Sequence, residues 1–228
     1  NQSKWEDLIE VFKAKEKSAL FMLLAIFSWF FGFNAIEAYY SNFAVRYLGW
    51  SEGQASVILL LLPVALIAFA IPAGKIAEKQ GRIKTMKQGL FGVIVCVLII
   101  SFNTEVYVVA SLLALAGMFW GMVNINSIAV VWQLAPKGKT GTYTGLYYTF
   151  SQLAAILSPI FAGITFDAYK AIKDAIIPGE QYLLLFPYVL VWMVIAFFFL
   201  FRVKKGEADD NLSEEEIKEL ENEYGEVD

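Results

Sequence analysis

The chain has 228 residues, 58% of them apolar and 18% charged, a formal charge of −4, one cysteine and no histidine. Apolar residues at that density would leave a soluble domain with large sticky patches. Without His or a second Cys there is no Ser–His site, no His-containing zinc site and no thiolate cage, so an enzyme, a cofactor and a metal are not expected.

Residues 1–17 predict a short amphipathic helix. Ser3 and Glu6 fit a capping box, and Trp5, Leu8, Ile9 and Phe12 recur at helical spacing opposite lysines. Such a helix suits the inner leaflet, as a linker from an earlier domain. The chain is therefore expected to be the later part of something longer.

Six apolar runs follow, over 18–45, 53–78, 84–102, 104–134, 141–168 and 180–203. Each can hold the ~20 residues a helix needs to cross the hydrocarbon core. In lipid every backbone amide must find its partner within its own segment, so the expected fold is an all-α membrane protein, a six-helix bundle over 18–203.

The first run carries Asn34, Glu37 and Ser41 at helical spacing, with Tyr40 alongside. Glu37 lies about 9 Å from the middle of its run at ~1.5 Å per residue, inside a half-core of about 15 Å. A charge there costs at least ~2.5 kcal/mol unless it is protonated or paired. No Lys or Arg lies deep enough to pair with it, so Glu37 is expected to carry a proton, hold a sodium ion or accept from a substrate hydroxyl. The bland alternative is a neutral structural acid.

The second run ends in a loop with Gly74, Glu78, Lys79, Gly81 and Arg82. Gly74 is expected to permit close helix contact and Gly81 a tight turn. The third and sixth runs are apolar on every face and suit a lipid-facing rim.

The fourth run places Trp120, Asn124 and Ser127 on one face, with Asn126 beside them. The fifth lines up Tyr148, Ser151, Ala155 and Ser158, with Tyr147 and Gln152 adjacent. Polar stripes cost too much facing lipid, so they either join helices or line a wet cavity.

The tail over 204–228 carries eleven acidic residues from Glu207 onward against one lysine, Lys218. It reads as a solvated segment with one short helix beginning at Ser213.

Fifteen of the eighteen Lys and Arg fall before the first run, around the junction of the second and third (75–87), between the fourth and fifth, or from Arg202 onward. The positive-inside rule then places both termini in the cytoplasm of a multi-pass cell-membrane protein. A basic face beside anionic headgroups is ordinary for such a protein and implies no nucleic-acid partner.

A shift of 89 residues lays Phe31-Gly32 on Trp120-Gly121, Glu37 on Asn126, and Gly74 and Glu78 on Gly163 and Asp167. Three spans per unit make such a repeat inverted, a 3+3 arrangement typical of secondary transporters.

The stretch from Gly74 to Lys84 resembles the Gly-x-x-x-Asp-Arg/Lys-x-Gly-Arg-Arg/Lys signature of the major facilitator superfamily. Glu78 stands in place of the usual Asp, and Ile83 in place of a basic residue. The segments Phe30–Glu37 and Gly141–Ser151, continuing through Ser158-Pro159, resemble the sucrose-type and glycoside–cation symporters of that superfamily. The resemblance implies the C-terminal half of a twelve-helix fold, with a conformational role for the Gly74–Arg82 loop. It also implies a site completed by a missing N-terminal half or a second copy.

The aromatic, amide and hydroxyl side chains suit a small neutral solute such as a sugar. The expected activity is alternating-access transport coupled to H+ or Na+. The binding candidates are Asn34, Glu37, Tyr40, Trp120, Asn124, Asn126, Tyr148, Ser151 and Gln152. The competing expectation is a six-helix assembly module that transports nothing alone.

Overall fold

The computed structural model describes residues 17–173 and 179–207. Most of the expected linker helix and tail, including the helix at Ser213, lie outside the described residues.

The first span is α1 (Ser18–Ser41), which runs on into a π-helical turn, Asn42–Tyr47. Gly49, at φ +72°, reverses the chain. A capping box then starts α2 (Glu52–Ala68), in which Ser51 Oγ accepts from the Gln54 amide and Gln54 Oε1 accepts from the Ser51 amide.

The second run departs from the expectation of one continuous helix. It divides into α2 and α3 (Ala70–Gln80), bent by 48°. Pro72 has no N–H to give the Ala68 carbonyl, and the helix breaks at the intervening Phe69.

Four helices follow: α4 (Arg82–Ile100), α5 (Val106–Gln133), α6 (Thr140–Lys173) and, after a 3₁₀ turn at Glu180–Leu184, α7 (Leu185–Phe201). Five helices are long and apolar enough to cross a membrane among the described residues, and the bent pair makes a sixth span. The chain is a multi-pass membrane protein.

Packing follows a regular scheme. α1 lies against α7 and α6, α5 against α4 and the α2–α3 span, and α4 against α7. Side chains reinforce the pairs across helices: Ser158 Oγ donates to the Phe31 carbonyl, and Tyr39 OH donates to the Pro159 carbonyl at 3.0 Å. Interhelical bonds of this kind contribute about 0.6 kcal/mol each in a bilayer. Phe31 meets Trp192 with ring centroids 4.1 Å apart and planes tilted by 35°. Trp29, Tyr40, Phe166 and Phe186 fill the interior.

Among the described residues a Cβ at Gly74 would meet nothing within 4 Å, so the close helix contact expected there is not made by them. The close approach falls at Gly117, where a Cβ would overlap the Leu62 carbonyl oxygen.

α4 and α7 do expose apolar side chains, among them Phe91, Val95, Val191 and Phe198, but they are not alone in this. α2 and α6 expose Val57, Val64, Ile156 and Ile164.

A short strap closes one end of the bundle. After α7, Ser18 Oγ accepts from the Lys204 and Lys205 amides at 3.0 and 3.2 Å. Gly206, at φ +110°, lies against Val130 and Leu134 of α5. The Glu207 carboxylate accepts from the Arg82 and Ile83 amides at 2.6 and 2.9 Å. Those are the first two amides of α4, which have no partner within the helix.

Candidate functional site

Three helices form an open cleft of about 500 Å³. α1 contributes Phe30, Phe33, Asn34 and Glu37, spaced i, i+3, i+4 and i+7, so that one face of the helix forms one wall. α5 contributes Asn124, Ile125 and Ile128. α6 supplies Tyr147, Tyr148, Ser151, Gln152 and Ala155.

The polar groups have defined roles. Asn34 Nδ2 donates to the Phe30 carbonyl at 2.7 Å, which fixes the amide and leaves its oxygen as an acceptor. Ser127 Oγ donates to the Asn124 carbonyl at 2.7 Å and lies 3.3 Å from Tyr147 OH, joining α5 to α6 behind the cleft. Ser151 Oγ donates to the Tyr148 carbonyl at 3.1 Å. Pro159 has no N–H for the Ala155 carbonyl, so the chain carries one more backbone acceptor at this wall. Glu37 is exposed, and among the described residues it is the one charged residue lining the cleft.

The aromatic side chains form a braced wall. Trp120 is buried and stacks on Phe33 with ring centroids 4.7 Å apart and planes within 2°. It meets Phe30 edge-on at 5.8 Å, while Tyr147 and Tyr148 meet edge-on at 5.2 Å.

The structure brings Asn34, Glu37, Asn124, Tyr148, Ser151 and Gln152 together around this cleft, and leaves three candidates outside it. Trp120 supports the wall from behind. Tyr40 is wholly buried, and its hydroxyl has no hydrogen-bond partner among the described residues. Asn126 is buried and donates to the Met122 carbonyl at 2.9 Å, and its Oδ1 is unpartnered among the described residues. Phe30, Phe33, Ile125 and Ile128 are not among the candidates, because an apolar residue looks the same in a cleft as in a core. Phe30 and Phe33 precede Asn34 and Glu37 by four residues and Ile128 follows Asn124 by four, which is the available signal; Ile125, next to Asn124, carries none.

None of Gly74, Glu78, Lys79, Gly81 and Arg82 lines the cleft, and the expected loop is mostly helix: Gly74, Glu78 and Lys79 lie on α3, Gly81 alone makes the turn, and Arg82 begins α4. Gly81 adopts φ +93°, as a tight turn requires. Sequence reasoning missed the residues that hold it. Gln80 Nε2 donates to Thr85 Oγ1 at 3.1 Å and to Gln88 Oε1 at 2.6 Å, and Glu207 arrives from the far end of the chain.

The profile of the Major Facilitator Superfamily matches residues 22–225. The chain is 24% identical over 159 residues to siderophore iron transporter 2 of Schizosaccharomyces pombe, covering 65% of this chain and 26% of that protein. It is 27% identical over 96 residues to the multidrug resistance protein MdtG of Proteus mirabilis, covering 42% and 24%. It is 22% identical over 174 residues to the cis,cis-muconate transport protein of Acinetobacter baylyi, covering 75% and 42%.

The fold is similar to crystal structures of a peptide transporter, POT, in complex with sulfate and with alafosfalin. The TM-scores are 0.70 and 0.72 at 17% and 16% identity, covering 97% of this chain and 47% of those chains. The chain thus spans less than half the length of each of these relatives.

Proposed function

The chain belongs to the major facilitator superfamily, and on that premise we propose that it is the C-terminal six-helix half of a secondary active transporter. The family and its solved neighbours point to transport rather than catalysis. In this reading a neutral solute of the sugar or glycoside class binds in the α1–α5–α6 cleft and crosses by alternating access, coupled to H+ or Na+.

The observation that carries the proposal is the cleft itself. It concentrates amides, hydroxyls and tilted aromatic rings, holds one carboxylate and no base, and is open on one side. A sugar needs hydrogen-bonding groups around its rim and a flat apolar surface against its ring, and the cleft has both. The open side is where an N-terminal half or a second copy would complete the wall. The solutes named for the relatives are too varied to choose among, so the solute class rests on the lining alone.

The packing scheme supports a 3+3 repeat. Exchanging the first span with the fourth, the second with the fifth and the third with the sixth turns the α1–α7 contact into the α5–α4 contact. It likewise turns the α1–α6 contact into that of α5 with the second span, and leaves α4–α7 as it is. This is the contact set expected of two three-helix units related by an axis in the membrane plane. The distribution of Lys and Arg supports a cell-membrane orientation with both ends cytoplasmic. The bonds from Ser18 to Lys204 and Lys205, which bring the two ends of the bundle together, agree with it.

Glu37 is the coupling residue in this proposal. Glu37→Gln keeps the shape and hydrogen bonds but removes titration and charge. Solute counterflow in liposomes is expected to survive, because exchange needs no net ion movement, while accumulation driven by an ion gradient is lost. The fold is expected to be as stable or slightly more so, since a neutral amide is cheaper in hydrocarbon than a carboxylate. Concentrative uptake by the Gln variant at the wild-type rate would remove Glu37 from coupling.

A further inference from the structure

Glu37 borders a second cavity as well as the cleft. This one lies between α1 and α2, encloses about 320 Å³, and is mostly apolar, with Glu37, Ser41 and Ser56 as its polar side chains. A third cavity of about 290 Å³ shares Ser41 and Ser56 with the second and ends among Asn42, Arg46 and Glu52, beside the turn that joins α1 to α2. Neighbouring spaces share lining residues, Phe33 and Glu37 between the cleft and the second, Ser41 and Ser56 between the second and the third. From Glu37 to Val45, at ~1.5 Å per residue, the crevice runs about 12 Å along α1.

We propose that this α1–α2 crevice is the route by which protons reach Glu37, separate from the α1–α5–α6 cleft that takes the solute. The inference rests on the coupling role proposed for Glu37 and adds to it a path and an ion.

The proton fits this lining better than a metal cation. A sodium ion must replace its hydration shell with a closed set of oxygens, and a wall built largely of Phe33, Ile36, Leu59, Leu60 and Pro63 cannot supply one. A proton needs only water and hydroxyls. Each cavity has room for several waters, at ~30 Å³ apiece. Ser41 stands one helical turn from Glu37, and Ser56 one turn from Glu52. Ser56 Oγ donates to the Glu52 carbonyl at 2.9 Å, which leaves its lone pairs free to accept from water. Arg46 and Glu52 both line the mouth and balance its charge.

The polar side chains that line the two cavities with Glu37 are neutral: Asn34, Asn124, Tyr147, Tyr148, Ser151 and Gln152 in the cleft, Ser41 and Ser56 in the crevice. Among the described residues no Lys, Arg, Asp or second Glu lines either cavity it borders. A hydronium in the crevice gives its proton to a Glu37 carboxylate oxygen, leaving water and a neutral acid. After the conformational swing the proton passes to water on the other side. Ion and solute then meet at one side chain without sharing an entrance, so the occupancy of each can alter the affinity for the other.

The test plugs the crevice and leaves the cleft alone. Ser41 and Ser56 are exposed and neither lines the cleft. In the reconstituted transporter, Ser56→Leu and Ser41→Leu are expected to keep solute counterflow and solute affinity within about twofold. Accumulation driven by a proton gradient is expected to fall at least tenfold. Ser56→Cys, folded first and then modified with a bulky methanethiosulfonate, is expected to do the same. Cys96, the native thiol of this chain, is buried and shielded from the reagent.

Proton-driven accumulation that persists after plugging would overturn the route and leave the coupling role of Glu37 standing. Loss of counterflow in the modified Ser56→Cys protein would make the crevice part of the solute site and overturn the separation. Wild-type uptake driven by sodium and not by protons would overturn the choice of ion. Wild-type uptake that no cation gradient drives would remove the coupling role and the route together.

Discussion

At Gly117 the α5 backbone lies so close to α2 that any side chain would overlap the Leu62 carbonyl oxygen, and backbone cannot step aside as a side chain can. Gly117→Ala is therefore expected to destabilise the bundle by about 1–3 kcal/mol, the usual cost of overpacking, read as a lower unfolding midpoint in detergent. Gly74 provides the contrast. With no described atom within 4 Å of a Cβ there, Gly74→Leu is expected to leave that midpoint unchanged or raise it by up to about 1 kcal/mol, since Leu is the better helix former. If the loop serves conformational change, the same variant slows transport and keeps solute affinity within a few-fold. A large stability loss at Gly74, or none at Gly117, would contradict this assignment of the two glycines. The sequence marked Gly74 because it lies in a recognisable pattern. It was silent on Gly117, whose role depends on how near another helix passes.

Pro72 decides the shape of the second span. Pro72→Ala restores an N–H for the Ala68 carbonyl, a bond of about 1 kcal/mol, and is expected to straighten the 48° bend. At ~1.5 Å per residue, straightening would separate spin labels at Gly53 and Lys79 by about 3 Å more. An unchanged distance would show that packing against α5, rather than the missing amide, sets the angle. The six spans were legible from hydropathy because the bilayer requires long apolar runs and the chain has no other way to satisfy its amides. The break at Phe69 was not, since hydropathy counts side chains and the break arises from one absent backbone donor. The cleft was legible in its polar members, for the cost of placing Asn34, Glu37 or Gln152 against lipid marks them as inward-facing. Tyr40 and Asn126 carry the same mark and turn instead into the interior. Polarity states that a group must avoid lipid and leaves open whether it meets a cavity or a neighbouring helix.

At the scale of the whole molecule the expected sidedness can be checked directly. Single cysteines at Lys137 and Lys170 are expected to react with an impermeant thiol reagent from opposite sides of the membrane, the first from the cytoplasm and the second from outside. The reverse pattern would invert the orientation and place the Arg46 and Glu52 mouth of the crevice in the cytoplasm. The strap after α7 bears on how such a bundle is made. The Glu207 carboxylate reaches the first two amides of α4 across 125 and 124 residues of chain, so these bonds rank among the last that synthesis permits. While the chain is still emerging, the turn at Gly81 holds its position through its own backbone bonds to Ala77 and Thr85 and the side chains of Gln80, Thr85 and Gln88, and the leading amides of α4 remain with water or headgroups. The start of α1 waits in the same way for Lys204 and Lys205. A chain cut before Lys204 would keep its six spans and lack the stitch that joins the first, third and last of them.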